Sequence, residues 1–204
     1  MYLSTNNGMN WNAINNGLAN TYIYSVFIDG TDIWAGTGLY PYKSVNNGSS
    51  WTVQSTGIIP CGFGSLEVHD FEKIGNTMLI GTNSGVFSSS NGGATWTGSS
   101  NGLPNAPMSS CPAVIELAKS GSTFFVGTFG NGVYKSVNNG GTWSPVNNNL
   151  TNCADAVISA LEGDSGHLFA GSDHNGGIHM STDNGLNWNT VNAGLVSNSN
   201  VNAL

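Results

Sequence analysis

An all-β fold assembled from repeated four-stranded units is what this sequence predicts, and three observations predict it. A four-point pattern, S-x-[N/D]-x-G-x-x-W, recurs five times along the 204 residues. Each copy is embedded in short apolar runs, rich in β-branched and aromatic residues and bounded by Gly, Asn and Ser. No competing helical period is present.

The copies are Ser4-Asn6-Gly8-Trp11, Ser44-Asn46-Gly48-Trp51, Ser89-Asn91-Gly93-Trp96, Ser136-Asn138-Gly140-Trp143 and Ser181-Asp183-Gly185-Trp188. Their tryptophans are 40, 45, 47 and 45 residues apart, a period that belongs to repeat architectures. In such a turn Gly supplies positive φ, Asn or Asp tolerates that region and caps backbone N–H groups, and Trp anchors the hairpin. The recurring Ser is placed to bond across it.

The remaining strands fall around the turn in a fixed order. First comes an apolar run, strand A, at 23–28, 66–71, 114–118, 157–161 and 201–204. Strand B follows and ends in A/I/V-G-T/S, as in Ile33-Trp34-Ala35-Gly36-Thr37, Met78-Leu79-Ile80-Gly81-Thr82, Phe124-Phe125-Val126-Gly127-Thr128 and Leu168-Phe169-Ala170-Gly171-Ser172. Strand C, for example Gly132-Val133-Tyr134-Lys135-Ser136, leads into the turn, and the Trp segment is strand D. Four short strands per ~45 residues is the sequence form of a β-propeller blade, with A lining the channel.

Met1-Tyr2-Leu3-Ser4 matches Pro41-Tyr42-Lys43-Ser44, and Val201-Asn202-Ala203-Leu204 matches Ile23-Tyr24-Ser25-Val26. The chain therefore opens on strand C and closes on strand A. The expectation is one β-propeller domain over 1–204, of about five four-stranded blades with one lacking strand B. Either the last A strand and the first hairpin share a blade and close a ring, or the chain is a piece of a longer array. The second is favoured because an absent inner strand leaves backbone groups unpaired. Exposed strand edges would then promote end-to-end self-association.

Composition excludes several function classes. The net charge is −7 and the basic residues are Lys43, Lys73, Lys119 and Lys135, with no Arg. Nucleic acid and anionic membranes need more cations than that. No apolar run reaches the ~20 residues of a membrane-spanning helix. Aromatics at 10% supply enough bulk to order a Gly-rich chain with 29 glycines. Cys61, Cys111 and Cys153 lack C-x-x-C spacing, so neither a metal site nor a cofactor is expected. They read as isolated thiols or as one disulfide. If paired, Cys111 and Cys153 are the expected partners, each shortly before an A strand of adjacent units, which leaves Cys61 free.

The five motifs resemble the Asp-box, or BNR repeat, across essentially the whole chain. That repeat occurs in sialidases, xyloglucan hydrolases, sortilin-type receptors and photosystem II assembly factors, and the resemblance implies a structural hairpin remote from the ligand. Four of the five boxes carry Asn in place of Asp. The Asn-rich composition is also similar to that of surface proteins secreted by Bacteroidetes-type bacteria.

Ligands of propellers usually meet the face formed by the B–C and D–A loops. Aligning strand A places Ser25, Asp70, Glu116, Ala160 and Ala203 at one position, so two adjacent units carry acids there. Glu67, His69 and Asp155 lie near the same end. Phe63 and Phe129 are loop aromatics able to stack a sugar ring, and Asp173 with His174 sits on another B–C loop. His174 and His179 are too poorly phased along a strand to share a metal. A sialidase grips its substrate carboxylate with arginines, which are absent here. The expected function is a non-catalytic, secreted or cell-surface module that binds a glycan or a protein. The alternatives are a glycosidase using the Asp70–Glu116 pair, or a purely structural repeat.

Overall fold

The computed structural model describes residues 1–204 except 63–64, 108, 151–156, 165, 174–175 and 196–199. The described residues form strands, turns and loops. Blade 1 is a two-stranded hairpin, β1 (Tyr2–Leu3) and β2 (Asn12–Ala13). Four sheets of four antiparallel strands follow. Blade 2 holds β3 (Ile23–Asp29), β4 (Asp32–Thr37), β5 (Tyr40–Ser44) and β6 (Thr52–Val53). Blade 3 holds β7 (Val68–Ile74), β8 (Thr77–Thr82), β9 (Gly85–Ser89) and β10 (Thr97–Gly98). Blade 4 holds β11 (Val114–Ser120), β12 (Thr123–Thr128), β13 (Val133–Ser136) and β14 (Ser144–Pro145). Blade 5 holds β15 (Ile158–Gly163), β16 (Leu168–Ser172), β17 (Gly177–Ser181) and β18 (Asn189–Thr190). In each sheet the strands pair in sequence order, the simple meander expected of A, B, C and D.

The fifth expected A strand is present as a packed segment without a strand ladder. Val201 donates its N–H to the Ser172 carbonyl at 3.0 Å and lies against Gly171. Val114 and Ile158 lie in the same way against Gly81 and Gly127. Among the described residues no strand pairs with 201–204 to build a ladder there.

The recurring turn is held by its own side chains. Ser4, Ser44, Ser89, Ser136 and Ser181 each accept the N–H of the Gly four residues on, at 2.8–2.9 Å. The same hydroxyls donate to Oδ1 of the Asn or Asp two residues on. Serine thus bonds within the turn, where the sequence suggested a bond across the hairpin. The reason is steric: with positive φ at Gly and at the residue before it, the chain folds back over the short hydroxyl. The Asn and Asp boxes differ in their second bond. Asn46, Asn91 and Asn138 donate to a hydroxyl of Ser50, Thr95 or Thr142, whereas Asp183 accepts from the Asn187 amide. The hydrogen bond from the Asn187 side-chain amide is the main cause that holds the Asp183 carboxyl down at about 2.

Apolar burial is concentrated between consecutive blades. Met1, Ile14 and Leu18 of blade 1 pack on Ala35, Tyr42 and Trp51 of blade 2. Trp34 and Ile58 meet Phe71, Ile80 and Trp96 at the next junction. Two further clusters join blade 3 to blade 4 and blade 4 to blade 5. Four of the five motif tryptophans are buried in these layers, but Trp11 is 61% exposed. A blade's Trp packs on the preceding blade, and among the described residues Trp11 has no such neighbour.

The disulfide differs from the expected pairing. Cys61 is bonded to Cys111, with their Cα atoms 5.8 Å apart, and Cys153 lies outside the described residues. Cys61 stands seven residues before β7, and that longer loop reaches across to the loop before β11. Distance to the strand along the chain was the wrong measure of reach; adjacency of the two loops decides.

Candidate functional site

The A strands of blades 2 to 5 share one irregularity. The register between A and B shifts at Ile23/Ser25, Val68/Asp70, Val114/Glu116 and Ile158/Ala160. A bulge re-aims side chains and lets neighbours in sequence face one side. Tyr24 with Ser25, His69 with Asp70, and Ser159 with Ala160 accordingly line a central cavity of about 250 Å³, together with Glu116, Leu161, Glu162 and residues 202–204. The five residues that alignment placed at one position, Ser25, Asp70, Glu116, Ala160 and Ala203, all border it.

Burial raises the Asp70 carboxyl to about 7, against hydrogen bonds that lower it, chiefly from the Leu117 N–H to Oδ2 at 2.9 Å. Burial likewise raises Glu116 to about 8, with the charges of Asp70 and Glu162 adding to it. Desolvation lowers His69, opposed by Glu67, whose Oε2 lies 3.7 Å from Nε2. Tyr24 packs edge-on against His69 at 5.1 Å, and burial followed by Glu67 raises its phenol. Toward the other ends of the A strands, Lys73 pairs with Asp29 and Lys119 with Glu72, tying blade to blade.

The structure therefore brings Asp70 and Glu116 together and leaves Phe129 and Asp173 apart from them. Phe129, 45% exposed, occupies a B–C turn, and Asp173 follows β16; neither borders the cavity. Phe63, His174 and Asp155 lie outside the described residues. Sequence reasoning missed Tyr24 and Ser159, because a regular strand would have turned each away from its neighbour at 25 or 160. Among the described residues no group of three or more His, Cys, Asp or Glu is placed to hold a metal ion. Among them, too, no helix is long and apolar enough to cross a membrane.

Comparison with solved structures matches this arrangement of blades. An ancestral GH74 enzyme superposes with a TM-score of 0.72 at 22% identity, over 97% of this chain and 29% of that one. The extracellular domain of the one component system BT4673 from B. thetaiotaomicron gives 0.66 at 17% identity, over 90% and 24%. YCF48 bound to D1 peptide gives 0.52 at 18% identity, over 82% and 52%. The fold is that of a β-propeller. This propeller chain spans between about a quarter and about half the length of those three structures. No family model matches it, and no curated protein does.

Proposed function

We propose that this propeller is a non-catalytic extracellular module that takes a glycan or protein ligand at the mouth of its central channel. The observation that carries the reading is the pairing of Asp70 and Glu116 in a cavity whose burial raises their carboxyls to about 7 and about 8, so that both still hold protons as neutrality is approached. A protonated carboxyl donates and accepts hydrogen bonds without a charge to desolvate, which suits sugar hydroxyls or peptide amides. Tyr24, His69 and Ser159 add a ring face and further polar atoms around the same space. The S-x-[N/D]-x-G-x-x-W turns, which we read as Asp-boxes, serve as outer scaffold. The Cys61–Cys111 disulfide supports an oxidising, secreted or cell-surface setting.

The alternative reading is a hydrolase with Asp70 and Glu116 as the catalytic pair. A glycosidase requires one carboxyl to stay ionised while the other holds a proton. Here the same burial pushes both upward, so the pair favours binding. Glycan-array and peptide-array screening, followed by titration, tests the reading. Binding should survive Asp70→Asn and Glu116→Gln, which mimic the protonated groups, and should fall with Tyr24→Ala. Turnover of a glycoside that vanishes in the Asn and Gln variants would overturn it.

A further inference from the structure

The outer half of blade 3 departs from its sister blades at three positions, and the departures meet in one place. Leu79, Ser88 and Ser90 stand where blade 2 has Trp34, Lys43 and Val45, and where blade 4 has Phe125, Lys135 and Val137. Blade 5 carries Phe169, Met180 and Thr182 there. Each residue of blade 3 is the smallest of its set. In blade 2 the lysine crosses the space in question, its Nζ lying 5.1 Å from the Trp34 ring and 2.7 Å from Asp32 Oδ2.

With the short Ser88 side chain in that position, a cavity stays open between blade 3 and the recurring turn of blade 4. Its wall follows from the strand period of two. Ser88 is the cross-strand partner of both Leu79 and Thr97, so Thr77, Ser88, Ser90, Thr95 and Thr97 share one face of the sheet. Asn139 borders the cavity from blade 4. Among the described residues, the hydroxyls of Thr77, Ser88, Ser90 and Thr97 and the Asn139 amide have no hydrogen-bond partner. Thr95 Oγ1 accepts from the Asn91 amide at 2.8 Å and keeps its own proton to donate. No ionisable side chain lines the space among the described residues.

We propose that this groove is a second ligand site, separate from the channel, which takes a neutral sugar unit of a glycan. Hydroxyls and amides both donate and accept, as sugar hydroxyls do, and the uncharged wall leaves no ion to desolvate. An extended peptide would find no apolar or charged group here to seat its side chains. At about 240 Å³ the groove is smaller than the ~300–1,000 Å³ that holds a drug-sized molecule, which suits one ring of a longer chain. Close packing favours filling such a space, and blade 2 fills it with Lys43 and Trp34. The channel is lined along the innermost strand β7, whereas the groove lies along β9 and β10, so the two sites are independent.

Titration calorimetry with cellohexaose, mannohexaose and xylohexaose at millimolar concentration tests this, on the wild type and on Ser88→Lys, Ser90→Val and Tyr24→Ala. The first two substitutions install the residues that blades 2 and 4 carry at the same positions, so both variants should keep the wild-type melting temperature. At least one hexasaccharide should bind the wild type, with an affinity that salt and a change from mildly acidic to mildly alkaline pH leave unaltered. Ser88→Lys should weaken that binding about tenfold or more by filling the groove and removing a hydroxyl, and Tyr24→Ala should leave it intact. If Ser88→Lys lowers the melting temperature, Ser90→Val decides in its place. Absence of binding by all three sugars overturns the proposal and leaves a groove that holds water alone. Binding that survives Ser88→Lys and Ser90→Val but falls with Tyr24→Ala also overturns it, by placing the sugar in the channel and leaving the reading of that site standing. Binding that survives all three variants overturns it by placing the sugar elsewhere.

Discussion

Trp143 and Trp11 occupy the same place in the same motif but differ in surroundings, so their truncation separates motif from burial. Trp143 is 4% exposed, and its Nε1 donates to the Ser99 carbonyl at 2.7 Å. A buried indole hides ~200 Å² of largely apolar surface, worth ~5 kcal/mol as an upper bound at ~25 cal/mol/Å². Alanine keeps a small part of this, while the Ser99 carbonyl loses its donor. Trp143→Ala should therefore cost about 4 kcal/mol, within the range of large-to-small core substitutions. Trp11, already 61% exposed, should cost about 1 kcal/mol or less when truncated. Urea unfolding at a dilution that keeps the chain monomeric measures both. A slope near ~2 kcal/mol/M would put the Trp143→Ala midpoint about 2 M lower, with Trp11→Ala close to wild type. Equal losses at the two positions would refute the reasoning, since the turn would then depend on its tryptophan irrespective of the neighbouring blade.

Trp96 is buried, but its Nε1 has no partner among the described residues, unlike that of Trp143. Trp96→Phe should consequently be milder than Trp143→Phe by about 1 kcal/mol, read from the same unfolding curves. The Cys61–Cys111 bridge closes a separation of 50 residues, so its reduction should lower stability by about 4 kcal/mol on the chain-entropy account. Melting with and without reductant checks this, and denatured, unreduced protein should show one reactive thiol. Asp70 and Glu116 bind protons more tightly folded than unfolded, so their contribution is fully present below the unfolded carboxylate range near ~4. It is lost as pH rises toward their folded values of about 7 and about 8. Melting temperature should therefore decline across that window, and Asp70→Asn with Glu116→Gln should flatten the decline.

Period and strand order were legible in the sequence because each blade repeats the same local decisions. Gly in the turn, Trp after it and a small residue ending strand B recur in register. Those decisions involve neighbours within a few residues, where sequence spacing and spatial distance agree. The disulfide was not legible for the opposite reason, since Cys61 reaches Cys111 by a loop crossing between blades. The cavity was half legible. Alignment put Asp70 and Glu116 at one position, but the bulge that swings Tyr24 and Ser159 beside them leaves no mark in a strict period of two. The exposure of Trp11 is likewise invisible from its motif, which matches that of Trp51 at each defining point.

Because each apolar cluster spans one junction, inserting or deleting a whole 45-residue unit would leave every surviving contact with a partner of the same kind. Copy number is then a nearly neutral variable for local stability, free to change by in-frame duplication or loss. The channel is the exception. It is lined by the A segment of each unit, so a change in copy number alters its bore and its complement of acids at once. Selection for a particular ligand would fix the number of blades even where the scaffold alone tolerates many.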